Sequence, residues 1–292
     1  MWDVQCPEDF DRYLNEQLKR LGTDHVDYYL FHALTGLRWE EIVLKFNLIE
    51  KAEAAVKDGR IGHLGFSFHD SYDAFTRIID GYNGWALCQI QYNYMGTDVQ
   101  AGIRGLRYAA NKELAVVIME PLLGGRLARP PKAVLPLFDE HPSPRSPSEW
   151  ALRWLWDQPE VSLVLSGMNS MAQVRENLIS ADSSGVGLMT GEDRRFLERV
   201  KEKFLERAVV PCTKCGYCLP CPSGVNIPAC FEYYNDGVMY DNLGPARFYY
   251  HRLLPEQQRA SACTGCRKCE SQCPQGIKIA DIMPKIHAAL TK

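Results

Sequence analysis

No apolar run in this sequence approaches the roughly 20 residues that a membrane-spanning helix needs. Nor is there a long run of charge of one sign: the formal net charge is −3 over 292 residues. The first absence argues against a membrane protein, and the second gives nucleic-acid binding little support. Neither a G-x-G-x-x-G fingerprint nor a Walker loop occurs, which disfavours a doubly wound nucleotide-binding sheet. Gly124-Gly125 stands alone and reads as a turn. A signal-peptide pattern is also missing and the chain is not a small secreted scaffold, so its cysteines do not read as a disulfide framework. The free thiols point to a reducing cytoplasm. With 46% hydrophobic residues the composition is that of a globular protein, and the length allows one large domain and a small one.

Cysteine is what the sequence has in quantity. Eight of its eleven cysteines form two tetrads near the C-terminus. The first is Cys212, Cys215, Cys218 and Cys221, followed by Pro222; the second is Cys263, Cys266, Cys269 and Cys273, followed by Pro274. The second reads C-x2-C-x2-C-x3-C-P, the bacterial run for [4Fe–4S] clusters. Three thiolates two residues apart can wrap three corners of a cubane, and the fourth, next to its proline, ligates the other cluster. Cys212, Cys215, Cys218 and Cys273 are therefore expected to hold one cluster, and Cys263, Cys266, Cys269 and Cys221 the other. Structural zinc also uses C-x2-C pairs, but with a longer loop between the two pairs of one ion. The first tetrad departs from the run by having two residues between its last two cysteines, and nearby Cys230 is the alternative to Cys221. Cys6, Cys88 and Cys230 otherwise read as ordinary thiols.

Upstream, strand and helix patterns alternate. Phe10, Leu14, Leu18 and Leu21 repeat at helical spacing before Gly22. Strands are expected at 25–32, 61–69, 86–93, 114–120 and 161–165. The helices between and after them are expected near 39–58, 72–80, 99–112, 148–157, 171–181 and 192–208, the last opened by the capping pattern Thr190-x-x-Asp193. A proline-rich loop occupies 129–147. This alternation implies a parallel sheet with right-handed crossovers. Polar residues close several strands (His32, Ser67, Gln89 with Asn93, and Glu120), at the end where a (β/α)8 TIM barrel places its chemistry. About five of the eight β/α units of such a barrel are present. Open edges on so partial a sheet lead us to expect association or low solubility of the isolated chain. The domains expected are 1–208, a partial barrel, and 209–292, a two-cluster domain.

These segments resemble the aldo-keto reductase superfamily, in its branch with a C-terminal ferredoxin-type extension. LKRLGTDHVDYYLFH looks like the segment ending in the family's catalytic histidine, here His32. GRIGHLGFSFH looks like the strand whose serine contacts the nicotinamide carboxamide, here Ser67, with Phe68 where the family has asparagine. CQIQYNYM supplies Gln89, a second carboxamide contact, and MEPLLGGRL puts Met119 where a tyrosine usually stacks on the nicotinamide. LSGMNSMAQVREN looks like the cofactor's phosphate and adenine segment. By that likeness Gly167, Met168, Ser170 and Gln173 lie near the phosphates, and Glu176 and Asn177 at the adenine. No lysine or arginine stands at the usual 2′-phosphate positions, which leaves NADH and NADPH both open. Taken singly each residue has a plain reading: a histidine ending an apolar strand, or a serine or glutamine satisfying loop backbone. Their order and spacing carry the likeness. The family's aspartate, proton-donating tyrosine and lysine are on its first three strands, and this chain starts just after the lysine strand. The resemblance thus implies an N-terminally truncated copy: a fragmentary gene, a late start codon, or a piece completed by another chain.

The insert between the tetrads, residues 227–262, is rich in tyrosine and phenylalanine at helical spacing. It resembles the α-helical ferredoxin modules of succinate dehydrogenase and heterodisulfide reductase iron–sulfur subunits. A further helix, interrupted at Pro284, is expected after Cys273. By this resemblance the chain is an oxidoreductase in which a nicotinamide and a small carbonyl substrate exchange electrons, through the clusters, with a one-electron partner such as a ferredoxin or flavoprotein. The alternative is a non-catalytic iron–sulfur electron carrier or assembly subunit.

Overall fold

The computed structural model describes residues 4–292. The chain divides into two compact units, one running up to Ala128 and resuming over Arg145–Arg194, the other made of Arg129–Pro144 and Arg195–Lys292.

The first unit opens with α1 (Asp9–Leu21), which buries Phe10, Leu14 and Leu18. Gly22 stops it in the left-handed region (φ 69°), returning its N–H to the carbonyls of Leu18 and Lys19. Strand β1 (Val26–Leu34) follows, then a short turn of helix, α2 (Gly36–Arg38), a π-helical stretch over Trp39–Leu44, and α3 (Leu48–Lys57). The unit continues as β2 (Ile61–Phe68), α4 (Tyr72–Asp80), β3 (Trp85–Gln91), α5 (Gly102–Asn111), β4 (Ala115–Met119), α6 (Pro147–Trp156), β5 (Leu163–Val164) and α7 (Met171–Asp182). The five strands form one sheet in the order β1-β2-β3-β4-β5, every neighbouring pair parallel. This is the five-unit portion of a (β/α) barrel that the strand pattern predicts.

One face of the sheet carries the core. Phe31, Phe66, Phe68, Cys88, Ile90, Val116 and Ile118 are buried there in one cluster with residues of the helical layer such as Phe75 and Ile78. Because side chains alternate along a strand, the register places His32, Gly65, Ser67, Leu87, Gln89, Gln91, Val117, Met119 and Leu163 on the opposite face. Gly65 is required on that face: a Cβ there would lie 2.6 Å from Cγ of Leu87.

Two helical expectations are corrected. The helix expected over 39–58 is broken at Asn47, which adopts φ 50° and ψ 40°. Val43 and Leu48 are both fully buried. Five residues apart, they would point about 140° from one another on a straight α-helix; the π turn and the reversal at Asn47 bring both inward. The helix after Cys273 is not interrupted at Pro284. It runs through as α11 (Ile279–Thr291), with Ile279, Met283, Ile286 and Leu290 buried along one stripe. That continuous stripe holds the helix although the proline donates no hydrogen bond to the carbonyl four residues back. Strand β5 is shorter than expected. The Thr190–Asp193 pattern does form: each side chain takes the other's backbone N–H, at 3.1 and 2.8 Å, and opens α8 (Gly191–Leu205).

The second unit has a core of its own, built on α9 (Ile227–Met239), α10 (Leu243–Arg252) and α11. Gly237 lets α9 approach α10; a Cβ there would meet Leu243 Cδ2 at 2.5 Å. Asn235 of α9 pins the segment before the first tetrad, accepting from Val210 N at 2.9 Å and donating to Val210 O at 2.7 Å. The segment before the second tetrad is held by the Tyr250 hydroxyl of α10, which accepts the N–H of Ala260 at 2.9 Å. Among the described residues no helix is long and apolar enough to cross a membrane.

Candidate functional site

The C-terminal ends of β1 to β4 bring together the residues singled out there. His32 is exposed on β1, Ser67 is buried at the end of β2, and Gln89 and Met119 are half-buried on β3 and β4. Gln89 Nε2 lies 3.4 Å from Met119 Sδ. The Ser67 hydroxyl accepts the N–H of Ala33 at 2.7 Å, which leaves its own proton to donate. Phe68, where the family resemblance has asparagine, points to the other face and packs on Phe75 with ring centroids 5.0 Å apart. Asn93 serves the loop: its Oδ1 accepts the N–H of Met95 and Gly96, and its Nδ2 donates to Glu120 O at 3.1 Å. Desolvation lowers the pKa of His32, and the charges of His69 and Arg38 act in the same direction.

The phosphate and adenine candidates sit around the start of α7. Gly167 and Met168 are exposed in the loop before it. Ser170 caps the helix, accepting Gln173 N at 3.4 Å, while Gln173 Oε1 accepts Asn169 N at 2.8 Å. A helix N-terminus of this kind offers backbone N–H groups to an anion. Glu176 accepts from the hydroxyls of Ser146 and Ser148, and Asn177 donates to Ser166 Oγ at 2.9 Å, so both side chains already have intramolecular partners.

In the second unit the cysteines group across the two tetrads. Cys218 has its pKa raised by burial and, among its neighbours, by the thiols of Cys212, Cys215 and Cys273. Burial likewise pushes Cys269 up to about 11, with Cys221, Cys263 and Cys266 adding to it. Each set is three cysteines of one tetrad and the last cysteine of the other. Cys212, Cys215, Cys218 and Cys273 line one small pocket walled by apolar Phe231 and Ile279. Among the described residues no three His, Cys, Asp or Glu side chains converge closely enough for a single metal ion. Cys230 stays in the core, its Sγ donating to Gln258 O at 3.7 Å.

Both cluster loops share a backbone device. The residues on either side of the second cysteine have positive φ in each tetrad: Lys214 58° and Gly216 79°, Gly265 71° and Arg267 59°. Such reversals turn successive N–H groups toward a common anion, and Lys214 N already points at Cys212 Sγ, 3.4 Å away.

Residues 6–183 match the Aldo/keto reductase family. The chain belongs to that family. Residues 211–277 match a 4Fe-4S dicluster domain, so this aldo/keto reductase is an iron–sulfur protein of an oxidoreductase family. Among solved structures it is similar to aldo-keto reductase AKR11C1 from Bacillus halodurans in its holo form, with 21% identity and a TM-score of 0.55 over 68% of this chain and 69% of that one. A thermostable aldo-keto reductase in complex with the inhibitor epalrestat matches with 24% identity and a TM-score of 0.54 over 68% of each chain. These likenesses support the fold. A curated relative, a probable glycolate oxidase iron-sulfur subunit from Bacillus subtilis (strain 168), is 25% identical over 101 residues, or 32% of this chain. The aldo/keto reductase chain spans only 21% of that protein's length.

Sequence reading did not single out His69, Gln100 or Arg38, which stand at the same rim as His32. His69 closes the β2 segment and Gln100 lies in the loop before α5, where neither strand alternation nor a motif marks it. The rim's strained backbone, at Ala33, Gln100 and Glu120, likewise falls on residues with no glycine to announce it.

Proposed function

We propose that this chain is a carbonyl oxidoreductase coupled to two [4Fe–4S] clusters, linking a nicotinamide site to a one-electron partner such as a ferredoxin or flavoprotein. The observation that carries the reading is the gathering of His32, Ser67, Gln89 and Met119 on one sheet face at the strands' C-terminal ends. The donor sets fit both groups: two sets of four thiols for the clusters, and two polar side chains with a helix N-terminus for NADH or NADPH. Bound there, the nicotinamide would supply two-electron hydride chemistry and the clusters one-electron transfer. Ser67, with its free proton, and the Gln89 amide are placed to orient a carboxamide. The Gly167–Ser170 loop and the first turn of α7 offer backbone N–H groups to phosphate. Met119 presents an apolar surface beside Gln89, in the stacking position. His32, exposed at the rim, donates a hydrogen bond to the oxygen of a small carbonyl substrate.

Exposure of Cys215 and Cys266, one in each cluster set, supports exchange of electrons at the surface of the second unit. Eight cysteines kept as thiols for clusters fit a reducing compartment such as the cytoplasm.

A second reading is an iron–sulfur carrier or assembly subunit without carbonyl chemistry. It is favoured by the partners that Glu176 and Asn177 already have, which occupy the side chains assigned to adenine. Titration of the anaerobically purified, cluster-replete chain with NADPH and NADH, followed by nicotinamide fluorescence, separates the two. Micromolar binding supports the enzyme. No binding with both clusters intact leaves the cluster unit as the working part.

A further inference from the structure

We propose that His69, set between Glu120 and Gln100 at the rim of the sheet, is a second acid–base group of the carbonyl site and exchanges a proton with the oxygen that His32 polarises. The inference rests on the carbonyl reading given above.

Strand alternation puts His69 on the same face as Ser67, one residue beyond β2, and next to the strand that bears His32. Its backbone N–H is tied to Leu34 O at 3.0 Å, which fixes the residue at the rim. Three residues around it hold left-handed backbone although none is glycine: Ala33 at φ 54°, Gln100 at 56° and Glu120 at 53°. L side chains rarely adopt this region, and such outliers gather at functional sites when the surroundings enforce them. Here they are enforced. Ser67 takes the N–H of Ala33, Asn93 donates to the carbonyl of Glu120, and Gln100 Nε2 donates to Gln91 Oε1 at 3.2 Å. The last bond leaves Gln100 Oε1 buried with no other partner and beside the His69 ring, which it can take as a donor.

The charged groups facing His69 come from four directions. Glu120 stands at the end of β4, Arg38 on α2 and His32 on β1; Asp70, the next residue, is committed to the N–H groups of Gly36 and Ser71 at 2.8 and 2.7 Å. Desolvation lowers the pKa of His69 and Arg38 adds to that, while Glu120 and Gln100 stabilise the protonated ring. On balance the pKa of His69 lies below the usual histidine range, so the neutral ring is the form favoured and the protonated ring is the one Glu120 and Gln100 support for proton donation. Reduction of a carbonyl to an alcohol needs a hydride on carbon, taken from reduced nicotinamide, which leaves oxidised. It also needs a proton on oxygen, taken from protonated His69, which is left neutral and regains a proton from solvent at its exposed edge.

The test combines histidine NMR titration of the full cluster-bearing chain, His69→Gln serving to assign the ring, with steady-state kinetics. Glu120→Gln should shift the His69 titration to lower pH. His69→Gln should lower kcat by roughly 10²- to 10⁴-fold while nicotinamide affinity is kept, and added imidazole should restore turnover to His69→Ala. An unmoved His69 titration in Glu120→Gln, or wild-type kcat in His69→Gln, would overturn the proposal. If the unmodified chain binds no nicotinamide, the function proposed above falls and this role with it. That outcome is read on the wild-type chain alone, and so is distinct from a failure seen only in the variants.

Discussion

The hydroxyl of Ser67 accepts the backbone N–H of Ala33 at 2.7 Å, joining the end of β2 to the irregular end of β1. The register between the two strands shifts between Phe31 and Leu34, so His32 and Ala33 lie in the irregularity and Ala33 has positive φ. A residue expected only to touch a cofactor therefore also shapes the backbone that presents His32. Ser67→Ala leaves a buried N–H without its acceptor, which should cost about 1–3 kcal/mol of unfolding free energy in urea denaturation. Because the His32 loop loosens as well, nicotinamide affinity should drop alongside. A variant as stable as the wild type would mean that Ala33 finds another acceptor.

The crossed cysteine sets predict an equally crossed pattern of cluster loss. Cys273→Ser, although it lies in the second tetrad, should remove the cluster held by Cys212, Cys215 and Cys218, reducing iron by about four atoms per chain. Adding Cys215→Ser to it should remove no more, whereas adding Cys266→Ser should empty both sites. Iron analysis with electron paramagnetic resonance of the reduced protein reads this directly. Uncrossed sets would give the opposite result for the two double variants.

Asn47 allows a test of the broken helix. It is exposed and held at φ 50°, so glycine should replace it with no loss, while alanine should be less stable than glycine by about 1 kcal/mol. Thermal denaturation of the two variants measures the difference. If Asn47→Ala were the more stable, the helix would run on through this position.

What could be read in advance, and what could not, follows from the range of the interactions. The five strands announce themselves because each is a short apolar run bounded by turns, and the cluster ligands because their spacing is local. The crossed pairing of Cys221 and Cys273 is an expectation drawn from the proline-marked fourth cysteines, and the iron analysis above tests it. The break at Asn47 was not, because it answers to the joint burial of Val43 and Leu48, which periodicity over a longer window averages away. Pro284 misled in the other direction: its local preference is outweighed by a buried stripe that only tertiary packing supplies. His69, Gln100 and Arg38 meet only once β1, β2 and the loop before α5 are assembled. Lys214 and Arg267 take up left-handed backbone where the other member of each pair is glycine, a signal visible only when the two tetrads are aligned with one another.

The sheet's edges lead to a prediction about the isolated chain. Among the described strands β1 and β5 each have one unpaired side. Leu163 of β5, Leu165 just after it, and Leu178 and Ile179 on α7 are exposed, and Tyr28 is 57% exposed on β1. Parallel sheets are normally covered on both faces and protected at their edges, and an open apolar edge is a template for pairing. Sedimentation of the chain should therefore show association that grows with concentration. Leu178→Lys with Ile179→Glu, which change side chains with 59% and 69% exposure, should reduce that association at little cost to folding. Both belong to α7 of the first unit and the cluster cysteines belong to the second, so the cluster absorbance should be unchanged and separates a surface effect from unfolding. A wild-type chain that stays monomeric at high concentration would show that the apolar strip and the two open edges do not drive assembly.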